Sequence, residues 1–443
     1  MLLRSRCLAA ASCLRVAAFA GASAAPSGAA SFSSPAASRR ARRLRRAKAN
    51  PASAAAVEEV RNDPSEVQQL LSSIDQISRN GLAQRVEMPK ELLERLTLVV
   101  KSRTHSQLEN LRQKYASDPK NTRQIPLDMH KKPLGWTLDK SDQIPPFVYG
   151  PTETMAYLAF EVEATYACAH RVFTELQSLL PTFAPTSVLD FGAGPGTASW
   201  VAKNFYDQSL AKYRVVEPSQ SMVDASEVLL EGFPGLSVRR SIADMTRDIN
   251  AGNKYDLVVA NYVFSEITND FERVAVTSAL WELLSDDGCL VIVDRGSPWG
   301  SHHVRSARQF VLDSVVEDKD GQEDARILAP SAGSTWCHFV QRSPTVNRPR
   351  EATTKRWDGQ KGSKFSYVIL QKTRKETGED AKADKKQPLA RMLRGPLLAT
   401  RHVHLDLCTP EAVREVYRAS RKAHWGACWP ADPAVYLDKK DKK

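Results

Sequence analysis

The sequence predicts an α/β domain with a doubly wound, largely parallel sheet, and three observations predict it. Val188, Leu189 and Phe191 form a buried strand that runs into glycines at every second position, Gly192, Gly194 and Gly196. A second apolar run, Tyr213–Val216, ends on an acid, Glu217, one helix later. Beyond it, short apolar runs alternate with segments of helical spacing as far as Asp294, the pattern of strands and helices laid on both faces of one sheet.

The glycine turn is the centre of this reading. Glycine serves where the chain must turn sharply or let a ligand approach the backbone. The helix that follows offers unpaired N–H groups to a polar or anionic ligand. The spacing is not the dinucleotide fingerprint, because Thr197 stands where its third glycine would be. It resembles the Asp-x-Gly-x-Gly-x-Gly turn of class I S-adenosylmethionine methyltransferases, a Rossmann-like fold with a seven-stranded sheet. That resemblance places Asp190, Gly192, Gly194, Gly196 and Thr197 at the methionine end of the cofactor. Glu217 is either the acid for the ribose hydroxyls, as at other second-strand tips, or an ordinary surface acid. Asp244, after a short third strand at 237–240, is a candidate for the adenine end. Asn261 ends the fourth strand, 256–261, and completes the cofactor set.

The remaining elements follow in order. Residues 1–57 carry nine Arg, one Lys and no acid, and are rich in Ala and Ser. This is the composition of an organellar presequence, assigned here to 1–46 and to import into the mitochondrial matrix, with plastid and secretory signals as competitors. Arg15 interrupts the apolar run 8–25, so no membrane span is expected. The rest of the chain is near neutral, 52 basic against 51 acidic residues, so the overall charge of +11 is a property of the N-terminus. Residues 47–148 are expected to be helical and then extended. One helix opens at Asn62-Asp63-Pro64; another follows Pro89 and carries Leu92, Leu93, Leu96, Leu98 and Val99. The polar stretch 116–148, with five prolines, is expected to be a surface arm or loop. The methyltransferase-like domain is expected over 149–443. It opens with a single long helix, 152–180, whose apolar stripe runs from Leu158 to Leu180 in steps of three and four.

Past the fifth strand, 289–294, a helix is expected at 301–317. An antiparallel strand pair, 365–371 with 402–407, would close the sheet, followed by a helix over 410–422. Segments 319–363 and 372–400 are then insertions, and both are basic. Arg342, Arg348, Arg350, Lys355 and Arg356, interleaved with Phe339 and Trp357, suit RNA phosphates; the alternative is a solvated loop. The seven cysteines show no C-x-x-C pair and no disulfide framework. Cys168 and Cys289 sit in predicted core elements. After the fourth strand comes Asn261-Tyr262-Val263-Phe264-Ser265-Glu266, which lacks the prolines of base-gripping motifs.

A more specific resemblance rests on a set of stretches in order. These are Ser187–Ala198 with Trp200, Val216–Ser219 with Met222, Ser265-Glu266-Ile267, Asp294–Gly300, Ile327–Pro330, Cys337–Arg342, Lys364–Val368, Leu405–Pro410 and Trp425-Gly426. Together they resemble the methyltransferase-like assembly factor of the mitochondrial small ribosomal subunit, a family also present in bacteria. The resemblance implies binding to small-subunit rRNA beside ribosomal proteins, as a monomer within the particle, and a role in assembly or structure with methyl transfer unproven. It also implies a four-cysteine iron–sulfur or zinc site. Cys337 and Cys408 match two of its positions, while Ser331 replaces a cysteine. Cys428, His338, His402 and His404 are the available substitutes; otherwise the site has decayed. Two other functions stay open: an active rRNA methyltransferase, and a small-molecule or protein methyltransferase.

Overall fold

The computed structural model describes residues 86–100, 106–107, 110, 135–136, 148–316, 323–330, 339–344, 360–374, 390–392, 397–398, 403–408, 414–416 and 428–429. All lie in one compact unit, Ser65–Lys443. The segment 1–46 expected to be a presequence and the helix expected at Asn62 lie outside them. Of the arm at 116–148, Gly135, Trp136 and Val148 are described.

Helix α1, Lys90–Val100, buries Leu92, Leu96 and Val100 along one stripe. Leu98, expected in that stripe, is instead 72% exposed, because it falls off the steps of four that the three buried residues mark. The long helix expected at 152–180 is two helices, α2 at Pro151–Phe160 and α3 at Val162–Leu179. The break falls at Glu161, whose N–H still reaches Tyr157 O. Thr165 turns its hydroxyl back onto the carbonyls of Glu161 and Val162, a side-chain-to-backbone bond that bends helices.

Then strand and helix alternate as expected. β1 (Ser187–Phe191), α4 (Thr197–Tyr206), β2 (Lys212–Val216), α5 (Gln220–Leu229), β3 (Ser237–Arg239), α6 (Ile242–Asn250), β4 (Tyr255–Asn261), α7 (Asp270–Glu282), β5 (Leu284–Arg295) and α8 (Pro298–Val316) follow one another. Helix α7 starts earlier than its apolar pattern, since Asn269 accepts the Glu272 N–H as a cap. The strands run in parallel order β3-β2-β1-β4-β5. In β4, Leu257 and Val259 face one hydrophobic cluster with α3 and α4, while Val258 and Ala260 face another with α7 and α8. A strand covered on both faces needs apolar residues at both parities, which is why its sequence is a continuous run. Each such side chain contributes about 1.5–3 kcal/mol when fully buried.

The closing part of the sheet differs from the expectation. β6 (Glu323–Ala329) and β7 (Phe339–Pro344) fall inside the stretch 319–363 taken as an insertion, and both pair antiparallel with β8, Gln360–Arg374. β8 pairs antiparallel with β5, so the path continues β5-β8-β6. This is the class I methyltransferase sheet of seven strands, with β7 added on β8. Of the strand expected at 402–407, the described residues 403–407 pair not with β8 but within a second sheet. That sheet is formed by β9 (Ala390–Met392), β10 (Leu397–Leu398), β11 (Val403–Cys408), β12 (Arg414–Val416) and β13 (Cys428–Trp429). Arg414–Val416 is thus strand, where a helix was expected. The apolar run Val403–Leu407 reads equally well as a strand of either sheet, and β6, with Glu323, Asp324 and Arg326, lacks a run that would mark it as core.

Candidate cofactor cleft

The site is built where β1 and β4 end side by side. Gly192, Gly194 and Gly196 have φ of 64°, 55° and 90°, the left-handed region that glycine occupies without steric cost. The three differ in what surrounds them. A Cβ on Gly192 would lie 1.8 Å from Val263 Cγ2, and one on Gly196 2.6 Å from Leu230 Cδ2. One on Gly194 would meet only Met222 Sδ, at 3.9 Å. Gly192 and Gly196 therefore serve packing as well as the turn. Gly194 faces open space.

Asp190 is buried, and its Oδ2 accepts from Ser199 N at 2.9 Å and Ser199 Oγ at 2.7 Å. Burial pushes its carboxyl up to about 6, against the pull of those two bonds. Glu217 is also buried, so it is not an ordinary surface acid. It accepts from Gly194 N at 2.9 Å and from Ser219 N at 2.8 Å. Burial raises its carboxyl above the usual range. Each carboxylate oxygen can accept more than one bond, so both retain acceptor capacity for ribose hydroxyls. Thr197 opens α4 and Asn261 closes β4. Asp190 Oδ1, Thr197 Oγ1 and Asn261 Oδ1 are buried polar atoms with no hydrogen-bond partner. Orphaned buried polar atoms call for an explanation such as an absent ligand. Three around one glycine turn fit the amino-acid end of S-adenosylmethionine.

Asp244 caps the helix that follows β3. Its Oδ2 accepts from Arg240 N, Ser241 N and Ser241 Oγ in a capping box, and its Oδ1 pairs with Arg247 at 2.8 Å. Slight burial works against ionisation, yet the hydrogen bonds from Arg240 and Ser241 and the Arg247 charge hold its carboxyl below the ordinary value.

Five residues at the cleft lay outside the expected set. The Tyr149 hydroxyl donates to Glu266 Oε1 at 2.8 Å, and the Tyr149 carbonyl accepts from Ser219 Oγ at 2.8 Å. Tyr149 therefore spans from the tip of β2 to the loop after β4. Burial pushes Glu266 up to about 7, with Arg295 opposing. Asp294, wholly buried at the end of β5, accepts from Ser265 N and Ser265 Oγ, each at 2.8 Å. Tyr262 adopts φ 63°, unusual for a bulky side chain. Its hydroxyl meets Cys168 and its ring lies 6.0 Å from the Arg295 guanidinium. Phe264 is buried and stacks on Trp136 at 6.1 Å. Both aromatics after β4 are thus engaged with the protein. The signal for Glu266 was its place five residues past Asn261; Tyr149 carried none.

The other expected sites are only partly in view. Arg342 lies on β7 opposite Gly362. Arg348, Arg350, Lys355 and Arg356 lie outside the described residues, in the connection between β7 and β8. Among the metal candidates, Cys408 and Cys428 take register positions on either side of the same residue, Arg391. His404 pairs with Leu397 and Val416; Cys337, His338 and His402 lie outside the described residues. Among the described residues no group of three or more His, Cys, Asp or Glu is placed to hold a metal. Cys168 and Cys289 are buried and form no disulfide, as expected of core residues. No described helix is long and apolar enough to cross a membrane.

Comparison with known proteins places this geometry. Residues 151–430 match the family described as mitochondrial small ribosomal subunit Rsm22. The chain belongs to the Rsm22 family. Similar curated proteins are the human ribosome assembly protein METTL17, mitochondrial, 26% identical over 299 residues (62% of this chain and 62% of the relative), and the Schizosaccharomyces pombe Rsm22-cox11 tandem protein 2, mitochondrial, 25% identical over 335 residues (64% and 44%). The chain thus spans less than two thirds of the length of either relative. Among solved structures, a putative RNA methyltransferase, PH1948 from Pyrococcus horikoshii, aligns at TM-score 0.30 and 14% identity over 55% of this chain and 92% of that one. The plantazolicin methyltransferase BpumL with S-adenosylhomocysteine aligns at 0.32 and 14% over 63% and 99%. The Rsm22 assignment rests on the family match, and the fold on the strand order.

Proposed function

We propose that this Rsm22-family chain is a methyltransferase-fold factor of the mitochondrial small ribosomal subunit that binds its rRNA and supports its assembly or structure. It works in the matrix, as a monomer among ribosomal proteins, and retains S-adenosylmethionine binding. The match to the Rsm22 family over 151–430 carries the ribosomal part. The name of the human relative, a ribosome assembly protein, supports it. Arg342, Arg348, Arg350, Lys355 and Arg356 are the residues assigned to rRNA phosphates.

The cofactor part is supported by the orphaned oxygens of Asp190, Thr197 and Asn261 and by the open space at Gly194. Bound there, S-adenosylmethionine supplies an electrophilic methyl group. In this reading the Asp190 loop orients its amino-acid end and Glu217 its ribose, while Asp244 borders the adenine side. An active rRNA methyltransferase is the second reading, favoured by the same intact cradle. Against it, Tyr262 and Phe264 are both engaged elsewhere, and no free aromatic follows Asn261 to hold a flipped base. An iron–sulfur cluster or zinc at Cys337 and Cys408, completed by Cys428, His338, His402 or His404, finds no support among the described residues, and no step passes through one.

The test is sedimentation of mitochondrial lysate with the tagged chain followed by immunoblot and its bound RNA sequenced. Co-migration with small-subunit particles and footprints on their rRNA are expected. Migration as free protein without rRNA sinks both ribosomal readings. A Gly194→Trp variant, which fills the cradle, separates them: the assembly factor keeps rRNA unmodified in either form, whereas the enzyme loses a methyl mark.

A further inference from the structure

The cleft gathers carboxyls from three strand ends. Asp190 is the last residue but one of β1 and is 1% exposed, Glu217 follows β2 and is 5% exposed, and Asp294 is the last but one of β5 at 0%. Glu266 follows β4 and is fixed by the Tyr149 hydroxyl at 2.8 Å. Backbone N–H groups and hydroxyls hold these acids: Ser199 for Asp190, Gly194 and Ser219 for Glu217, Ser265 for Asp294. The charged groups facing Glu266 are Arg295, Asp294 and Glu217. Glu217 in turn faces Arg240, and Asp190 faces Glu217. Carboxyls outnumber cations around this cleft, and Asp190 Oδ1 and Asn261 Oδ1 are buried acceptors with no donor. A ligand that completes the site brings donors and positive charge.

We propose that Glu266, held by Tyr149, makes this cleft charge-selective, so that it takes S-adenosylmethionine, with its cationic sulfur, in preference to S-adenosylhomocysteine, whose sulfur is neutral. The proposal rests on the cofactor reading above and adds what the site discriminates. A transferring enzyme must release its spent cofactor; a charge-selective site goes further and distinguishes the charged supply from the spent form. Tyr149 and Glu266 are positioning and specificity residues here, since neither donates nor removes a methyl group. A sulfonium bound within reach of the Glu266 carboxylate at a partly open rim would differ from a neutral sulfur by enough for about tenfold in affinity. Burial keeps part of the Glu266 population protonated near neutrality. Binding of a cation draws that proton off, so the preference grows as pH rises.

The test is calorimetry on the full chain with S-adenosylmethionine, S-adenosylhomocysteine and sinefungin, an analogue with an ammonium group in place of the sulfonium. At about pH 8 the two cationic ligands are expected to bind about tenfold more tightly than S-adenosylhomocysteine, and the ratio to shrink toward about pH 6. Glu266→Gln is expected to bring the ratio near one with S-adenosylhomocysteine affinity unchanged, which a purely structural role would not do. Equal affinities in the unaltered chain at about pH 8, or a ratio that survives Glu266→Gln, overturn the proposal while leaving the cofactor reading in place. The pH series needs no variant, so it decides the matter even where Glu266→Gln fails to fold. Binding of none of the three overturns the cofactor reading itself.

Discussion

Two places in this molecule bury acids beside the same sheet, and they do so in opposite ways. Under β8, Glu175 of α3 gives one oxygen to the Arg391 guanidinium and the other to the Tyr367 hydroxyl. Arg391 also donates to Pro330 O at 3.1 Å, and the neighbouring Arg171 donates to Val340 O at 2.8 Å. Charge meets charge, and both carboxylate oxygens have a partner within the protein. At the strand tips, Asp190, Glu217 and Glu266 are held by N–H and hydroxyl donors, and oxygens of Asp190 and Asn261 have no partner at all. The first arrangement is complete as it stands and joins α3 to the second sheet. The second leaves buried acceptors that, in the proposed reading, a ligand fills. Burial of an acid does not by itself mark a site; buried acceptors left without a donor call for a further explanation.

The largest expected effect breaks the complete arrangement. Glu175→Ala removes the carboxylate that pairs with the buried Arg391 charge, and is expected to destabilise the fold by about 3–5 kcal/mol in denaturant titration. Glu175→Ala protein that melts like the unaltered chain would put Arg391 in water and remove one side of the contrast.

The glycines sharpen the other side. Gly192→Ala puts a methyl group within 1.8 Å of Val263 Cγ2 at a φ of 64°, so a loss of about 3 kcal/mol in stability is expected from strain and displacement together. Gly194→Ala has the same handedness cost of about 1–2 kcal/mol but no clash, and its methyl group enters the open space of the cleft. Thermal melts and calorimetry with S-adenosylmethionine should therefore separate them: Gly192→Ala fails in stability first, Gly194→Ala in binding.

Asn261→Ala probes an acceptor that no protein group uses. Its stability is expected to change by less than about 1 kcal/mol, since no hydrogen bond within the protein is lost, while cofactor affinity falls by about tenfold. The opposite pattern would mean that Asn261 is a structural residue and the cradle is filled by something else.

These contrasts also mark what the sequence made legible. The glycine turn and the alternation of β1 to β5 follow from local rules: apolar runs covered on two faces and glycines at positive φ. The acids Asp190 and Glu217 were legible because they end strands. What escaped depends on distance along the chain. Tyr149 meets Glu266 across 117 residues and Glu175 meets Arg391 across 216, and nothing in the local pattern of either announces its partner. The closing strands escaped for a related reason. β6 is marginal in its own sequence and becomes a strand only because β8 supplies its partner, as Ala325↔Lys372 and Ile327↔Leu370 record.

The smallest effect concerns the empty-cleft protein alone. The Glu266 carboxyl, ordinarily near 4.5, is pushed up to about 7 in the fold. The folded state then holds a proton that the unfolded chain has released, so stability is greatest below about pH 4.5 for this group and declines as pH rises to about 7, after which it is level. Asp190, pushed up to about 6, acts in the same direction over a lower window. Glu266→Gln cannot ionise and still accepts from Tyr149. Relative to the unaltered chain it is expected to gain of order 1 kcal/mol at about pH 8, allowing for screening at the rim, and to lose that advantage by about pH 4.5. Thermal melts across this range check the sign. Saturating S-adenosylmethionine should reverse the order at about pH 8, because the ionised acid that strains the empty cleft is the one that meets the ligand's charge.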